Sequence, residues 1–356
     1  MVFLWQKLRL HPIFIRIMHW EYWPFGVLYA PIFPIWFWLC LRARSFFFFS
    51  AANPSIRHGG FLMEKKHEIN ELLPAGSYPA TCYFPAGTGA LTVLEEVRQQ
   101  NMQYPLILKP DIGMRGMSVE KIYSDAELIR YANESRVDFL VQNLIPFDEE
   151  VGIFYYRMPG EPNGKITGIV YKTFLTVTGD GVSTTAELLG KDSRFVLQLP
   201  VLLASMPAIR TEVLPAGEQQ ILVPFGNHAR GAKFLDYSHR ITPALEQTID
   251  ALALQIPGFY YGRLDIRFRN WELLEQGKDF SIVELNGAGS EPTHIYDPKH
   301  TVFFAWKEIV RHWRLLYRIS ITNHRKGIPF MNRQQGLQMF RDNKQQVACI
   351  SRQQGV

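Results

Sequence analysis

From residue 50 onward the chain alternates between apolar runs of two-residue period and amphipathic runs of three- to four-residue period, which are typical of strands and helices respectively. The pattern predicts strands at 106–108, 139–144, 151–157, 166–172, 221–225, 261–268 and 280–285. It predicts helices near 90–100, 125–134, 184–190, 191–204, 243–255 and 301–318. Thr88 is the expected cap of the first helix, and Ser124 or Asp125 begins the second. Because strict βαβ order is lacking, we expect an α+β fold around mixed sheets.

The first fifty residues have a different pattern. They contain five of the eight tryptophans, and residues 23–41 form an uncharged run that is interrupted by three prolines. Nineteen residues approach the length of a membrane-spanning helix, but proline breaks helices. Two interpretations remain open: an aromatic, basic segment that lies in a membrane interface, or an aromatic hairpin folded onto the protein body. The helix at 301–318 also combines an aromatic stripe with a basic face. Two interpretations remain open for it as well: docking on an anionic lipid surface, or packing of the aromatic stripe onto the protein core with the arginines in water.

Charge divides the chain further. The net charge of +5 belongs to the two ends, because residues 1–50 carry an excess of four positive charges and residues 322–356 an excess of five. We therefore expect an aromatic, basic segment at 1–50, a catalytic domain at 51–325 and a basic, Gln-rich tail at 326–356. No recognisable nucleic-acid-binding motif contains the basic residues, so no nucleic-acid partner is expected. Three widely spaced cysteines fit a reducing compartment.

The segment LILKPDIGMRGMS at 106–118 is the first with candidate chemistry. It places Lys109 at the end of an apolar strand and a glycine-bearing loop directly after it. A lysine in this place can reach phosphate oxygens, and Gly113 and Gly116 allow backbone N–H groups to approach an anion closely. A strand followed by an ordinary glycine turn would have the same pattern.

The segments GRLDIRF at 262–268 and VELN at 283–286 are more specific. Asp265 and Glu284 are acids within apolar strand patterns, where an unpaired carboxylate is costly. With the amide oxygen of Asn286 they form a set of hard oxygen ligands suited to Mg²⁺. Arg263 shares a strand face with Asp265 and could contact the same phosphate. The alternative is an ion-pair network inside the sheet.

These segments, together with VTGDGVSTTAEL at 177–188 and GNHARG at 226–231, resemble the ATP-grasp superfamily in order and spacing, over roughly residues 60–300. The chain is similar to the ATP-binding part of D-alanine–D-alanine ligase and to cyanophycin synthetase-like proteins. The resemblance implies two α+β lobes that grip ATP, with the aromatic N-terminal helical segment in addition. The chain departs from the family in lacking its N-terminal α/β substrate domain, and the loop at 287–294 also differs.

The resemblance further implies a role for individual residues. Those expected to bind the nucleotide are Lys109, Gly113, Arg115, Gly116, Gln142, Asn143, Leu144, Glu150 and Lys172. The expected ligands of Mg²⁺, or of Mn²⁺ in its place, are Asp265, Glu284 and Asn286. Arg263 and Arg230 are expected to steady the transferred phosphoryl group. Many relatives carry a further lysine before the glycine-rich strand, and in this chain Lys65 and Lys66 are the candidates.

The implied activity is that of an ATP- and Mg²⁺-dependent ligase. It would activate a carboxylate as an acyl-phosphate, join it to an amine or another nucleophile, and release ADP and phosphate. The expected partners are small-molecule or lipid-like carboxylate and amine substrates, with a membrane surface as a further partner. The expected location is the cytoplasm, at the inner face of the membrane. Two alternatives remain: an ATP-grasp phosphotransferase, and a catalytically silent nucleotide-binding module at the membrane.

Overall fold

A computed structural model of the protein describes residues 11–113, 116–223 and 231–353, with Ser193 and Arg194 described by their backbone alone. The chain divides into two units. The small unit contains residues 11–34, 172–223, 231–235 and 295–306. The large unit contains residues 35–113, 116–171, 236–294 and 307–353.

The strands are named by their order in the chain. They are β1 (Thr81–Phe84), β2 (Leu106–Pro110), β3 (Glu120–Ile122), β4 (Phe139–Asn143), β5 (Glu149–Tyr156), β6 (Lys165–Thr173), β7 (Leu175–Thr178), β8 (Gln219–Val223), β9 (Lys233–Asp236), β10 (Tyr261–Phe268) and β11 (Phe280–Asn286).

The α-helices are named in the same way. They are α1 (Pro12–Met18), α2 (Phe25–Tyr29), α3 (Phe33–Ala43), α4 (Lys66–Leu72), α5 (Ala90–Gln99), α6 (Asp125–Glu134), α7 (Thr185–Lys191), α8 (Ser193–Val196), α9 (Leu199–Ser205), α10 (Pro243–Leu254), α11 (Trp271–Glu275), α12 (Val302–Arg325) and α13 (Arg333–Gln353).

A four-stranded antiparallel sheet of order β1-β4-β2-β3 forms one part of the large unit. Val93 and Val97 on α5 and Leu128 on α6 pack with Leu106 and Leu108 of β2 in its core. Ser124 begins α6, because its side chain accepts a hydrogen bond from the N–H of Glu127. This sheet holds β2, and with it Lys109, in a fixed position.

In the large unit, β11, β10, β5 and residues 165–171 of β6 are neighbouring strands, in that order, of a larger sheet. The pairs β10–β11, β10–β5 and β5–β6 are antiparallel. One face packs apolar side chains such as Ile153 and Leu264 against Leu245 and Ile249 of α10. Because side chains alternate between faces, Arg263 and Asp265 lie on the opposite face. The predicted α+β class is confirmed, although these three strand pairs are antiparallel where mixed sheets were expected.

Residues 35–62 contribute several side chains to the core of the large unit. Trp36 lies 5.0 Å from Phe48 and 5.1 Å from Trp313 between ring centroids. The buried Asn53 side chain accepts from the N–H groups of Tyr260 and Tyr261 and donates to the Tyr261 carbonyl at 2.8 Å. Hydrogen bonds therefore tie this segment to β10.

In the large unit one face of α12 packs inward, whereas Phe303 at the start of the helix is 72% exposed. Ile309, Leu316 and Ile319 are buried, and Trp313 packs against the aromatic core. Of the two interpretations of this helix, packing against the protein body describes these residues. Among the described helices, none combines the length and the apolar character needed to cross a bilayer.

In the small unit, β7 and β8 form an antiparallel pair, and Leu175, Leu189 and Leu202 contribute to its core. Thr184 begins α7 with a reciprocal capping box: the Glu187 N–H donates to the Thr184 hydroxyl oxygen, and the Thr184 N–H donates to the Glu187 carboxylate. Asp180 of the GDG segment accepts from the N–H groups of Val182 and Ser183. The conspicuous sequence motif therefore forms a hydrogen-bonded turn that leads into a helix.

We expect that Trp36→Ala lowers the free energy of unfolding by about 2–4 kcal/mol, since it leaves a cavity between the Phe48 and Trp313 rings. Trp38→Ala is the matched control, because the Trp38 side chain two positions along is 59% exposed. Chemical denaturation of both variants measures the difference. Equal losses for the two variants would contradict the packing described for α3.

Candidate nucleotide and metal site

The register between β10 and β11 brings four predicted site residues to one face of the larger sheet. Asp265 lies directly opposite Glu284, and Arg263 lies directly opposite Asn286. The register shifts after Asp265, so that Ile266 lies opposite Ile282 and Val283 is the extra residue. Such an irregularity re-aims the neighbouring side chains.

Asp265 and Arg263 form a buried, two-pronged ion pair. The Arg263 Nε donates to Asp265 Oδ1 at 2.9 Å, and its Nη2 donates to Oδ2 at 3.1 Å. Burial alone would lower the pKa of Arg263, but the charge of Asp265 outweighs it and the net shift is upward. Asn286 Nδ2 lies 3.5 Å from Asp265 Oδ2. Arg263 therefore stays charged and fixes the orientation of the carboxylate.

Gly152 on β5 makes room for this ion pair. It lies opposite Asp265 in the β5–β10 register. A Cβ atom at Gly152 would lie 2.8 Å from Asp265 Oδ1 and from Val170 Cγ1, and 3.1 Å from Arg263 Cδ. The absence of a side chain at this position is a requirement of the site, since such approaches are closer than van der Waals contact.

Two lysines from different elements converge on Glu284. The Nζ of Lys66, near the start of α4, lies 3.3 Å from Glu284 Oε1 and also donates to the Gly113 carbonyl at 3.1 Å. Lys109, at the end of β2, is buried and its Nζ lies 3.4 Å from the Val283 carbonyl. A pocket between them is lined by Glu64, Lys66, Asn70, Lys109, Val283 and Glu284.

Burial and neighbouring charges change the pKa values of these groups. Burial lowers the pKa of Lys109 to about 8, although the charge of Glu284 opposes the shift. Burial would raise the pKa of Glu284, but Lys66, Lys109 and Arg263 outweigh it and the pKa is lowered. Glu284 is thus held as a carboxylate. Two ammonium groups beside one carboxylate make a site with surplus positive charge, which favours an anion.

The sequence offered two lysines for the position before β2, and the structure distinguishes them. Lys66 contacts Glu284, whereas Lys65 forms an ion pair with Glu68, three residues further along the chain. Asp111 fixes the register, because its carboxylate accepts from the His67 N–H at 2.9 Å and contacts the His67 ring nitrogen Nδ1 at 2.7 Å. The Lys66 N–H donates to the Asp111 carbonyl as well. Asp111 itself is completely buried.

Glu64 and Asn70 are site residues that the sequence analysis missed. Glu64 accepts from the Gly287 N–H at 3.1 Å, directly after Asn286, and burial raises its pKa to about 8. Asn70 Nδ2 is buried without a hydrogen-bond partner among the described residues, and Asn70 lines the pocket. Lys66 and Asn70 are four positions apart on α4 and so share a helix face. The only signal in the sequence was this spacing.

The other predicted nucleotide-binding residues are spread more widely. In the large unit, Gln142 is buried and donates to Thr81 Oγ1, and Asn143 Oδ1 is buried without a partner in the described part of the chain. Leu144 follows β4, and Glu150 on β5 is held by Arg267 Nε at 3.0 Å. The predictions for all four, and for Gly113 and Gly116, stay predictions.

The remaining predicted site residues lie in the small unit or outside the described part of the chain. Lys172 is buried on β6 in the small unit. Arg115 and Arg230 lie outside the described residues.

The donor atoms at β10 and β11 fit a hard cation. Two carboxylates and one amide oxygen on adjacent strands match the hard oxygen ligands that Mg²⁺ prefers. Within residues 11–113, 116–223 and 231–353, no group of three or more His, Cys, Asp or Glu side chains could hold a metal. A cation held by Asp265, Glu284 and Asn286 would also take oxygen ligands from water or from phosphate groups.

No protein-family model and no curated protein matches the chain. Among solved structures it is similar to the VanG D-Ala:D-Ser ligase from Enterococcus faecalis, with a TM-score of 0.39 at 15% identity over 71% of this chain and 61% of that one. It is similar to the D-alanine–D-alanine ligase from Bacillus anthracis, with a TM-score of 0.40 at 13% identity over 74% and 67%. It is also similar to a bifunctional glutathione synthetase from Pasteurella multocida, with a TM-score of 0.39 at 12% identity over 71% of this chain and 35% of that one.

This chain spans less than two thirds of the length of the VanG ligase and of the glutathione synthetase.

We expect Lys109 to titrate near pH 8 rather than near 10.5, because burial disfavours its charged form. The unfolded chain then binds more protons than the folded one between these values, so the contribution of Lys109 to stability increases as the pH rises through this window. The ¹³Cε chemical shift of Lys109, assigned with Lys109→Arg, measures the titration. A midpoint at or above 10 would contradict the burial of this amine.

Proposed function

We propose that this protein is an ATP- and Mg²⁺-dependent ligase that activates a carboxylate as an acyl-phosphate and joins it to an amine. The observation that carries this proposal is the convergence of Lys66 and Lys109 on Glu284, beside Asp265 and Asn286. Cations next to hard oxygen ligands are what a metal–nucleotide complex requires: positive groups for phosphate oxygens and carboxylates for the metal.

The division of roles follows from the chemistry of each side chain. Lys66 and Lys109 would bind the phosphates as point charges, and Arg263 would meet charge that develops as the γ-phosphoryl group is transferred. Asp265, Glu284 and Asn286 would hold Mg²⁺, which supplies charge stabilisation to the transferring phosphoryl group. Arg263 is already oriented by Asp265 and by a hydrogen bond to the Glu291 carbonyl at 3.2 Å, so little reorganisation is needed.

The substrates would be a small-molecule or lipid-like carboxylate and an amine. The carboxylate oxygen attacks the γ-phosphorus, the bond to the β-phosphate oxygen breaks, and ADP leaves. The amine then attacks the acyl carbon, phosphate leaves, and the amine proton passes to a base or to solvent. Neither step requires a covalent bond to the enzyme. ADP and free phosphate in equal amounts distinguish this reaction from phosphotransfer, in which phosphate stays on the product.

We expect that Glu284→Gln or Asp265→Asn lowers Mg²⁺-dependent turnover more than about a hundredfold, because each removes a charged metal ligand. Turnover is measured as ADP and phosphate release in a screen of amino acids, short peptides and fatty acids. Asp279→Asn is the control, since Asp279 forms an exposed ion pair with Arg269 near β11. Normal turnover in Glu284→Gln would contradict the metal assignment.

We expect that Lys66→Met weakens the binding of Mg²⁺ with a non-hydrolysable ATP analogue about tenfold to a hundredfold, as the loss of one charged hydrogen bond implies. Lys65→Met is the matched control, because the neighbouring lysine contacts Glu68 instead. Isothermal titration calorimetry measures both. If the two variants bind equally well, Lys66 has no part in the nucleotide site.

A further inference from the structure

Helix α3 carries an exposed apolar stripe. The exposed fractions of Phe37, Trp38 and Leu41 are 53%, 59% and 68%, and Phe46 just beyond the helix is 61% exposed. Positions 37, 38 and 41 lie on one side of a helix, since residues three and four apart are neighbours. Large apolar side chains grouped in this way mark an interaction surface rather than scattered exposure.

The stripe cannot turn inward, because the opposite face of α3 is already packed. Leu39 and Cys40 are buried in the core of the large unit, and Trp36 packs between Phe48 and Trp313. The helix is therefore apolar on both sides, with one side used by the fold. A helix that is apolar all round is either fully covered by protein or in contact with lipid.

The charge around the stripe indicates what covers it. The chain has no Asp or Glu from residue 22 to residue 63. Arg42 follows Trp38 by one helical turn, and Arg44 lies just past the helix. The Arg42 guanidinium lies 5.8 Å from the centroid of the Tyr317 ring, which holds it beside the stripe. Basic groups next to tryptophan, phenylalanine and leucine match an anionic lipid surface.

We propose that α3 docks the protein on an anionic membrane surface, with Trp38, Leu41 and Phe46 in the lipid interface and Arg42 and Arg44 at the headgroups. Eleven residues of helix extend about 16 Å, roughly half of the ~30 Å hydrocarbon core. The helix therefore lies in the interface. A second copy of the chain is a poorer partner, because a symmetric contact through this stripe would bring the arginines of both copies together.

The test is co-sedimentation of the full chain with vesicles of phosphatidylcholine alone and of phosphatidylcholine with an equal amount of phosphatidylglycerol. The wild type is expected to bind the mixed vesicles. Trp38→Ser with Leu41→Ser should reduce the partition coefficient at least about tenfold by removing buried apolar area. Arg42→Gln with Arg44→Gln should reduce it about thirtyfold on mixed vesicles and much less on neutral ones.

Leu91→Ser is the matched control, since Leu91 on α5 is 69% exposed but lies on another helix. It should bind vesicles as the wild type does. Nucleotide binding in solution should be unchanged in all these variants, so that failure of the docking proposal is separate from failure of the ligase proposal. Wild type that does not sediment with mixed vesicles overturns the proposal. A wild-type dimer that the Trp38→Ser, Leu41→Ser variant converts to monomers would instead make the stripe an interface between copies.

Discussion

The ion pair between Arg263 and Asp265 is the interaction on which the candidate site depends. Both groups are removed from water on a β-strand, and a charge in that environment is tolerated only when it is paired and hydrogen-bonded. Pairing at two atoms fixes the orientation of both side chains. The cross-strand register then determines what lies beside them, because Glu284 and Asn286 are directly opposite.

The remaining charges reach this place from separate parts of the large unit. Lys109 comes from the end of β2 in the smaller of its two sheets, and Lys66 from a helix whose first turn is hydrogen-bonded to Asp111 after that same strand. Both lysines therefore belong to one structural element, the end of β2 with α4, which meets β11 at Glu284. The site is a contact between two sheets: the end of β2 with α4 contributes Lys109 and Lys66, and the larger sheet contributes Arg263 with the carboxylates.

The sequence predicted what depends on local pattern. The two-residue alternation around 262–268 indicated that Arg263 and Asp265 share a face, and the apolar run before Lys109 indicated a strand end. Other features depend on contacts between distant segments. The contact between Asp111 and the first turn of α4 leaves no periodic pattern in the sequence. The sequence therefore could not show which of Lys65 and Lys66 contacts the site. Glu64 lies in an irregular segment, where its contact with Gly287 is set by tertiary packing. The cap of α5 also differs by one residue, because Gly89 and not Thr88 occupies that position.

The requirement for glycine at position 152 has a consequence for recognising relatives of this chain. Any side chain there would collide with the carboxylate and with the stem of the arginine. A protein that keeps the R-x-D strand in this arrangement should accordingly carry glycine at the middle of the neighbouring strand, close behind an acid that pairs with a second arginine. At identities near 15%, a short motif of catalytic residues can match by chance. The R-x-D motif together with the glycine on the neighbouring strand would therefore be a more selective search criterion than either feature by itself.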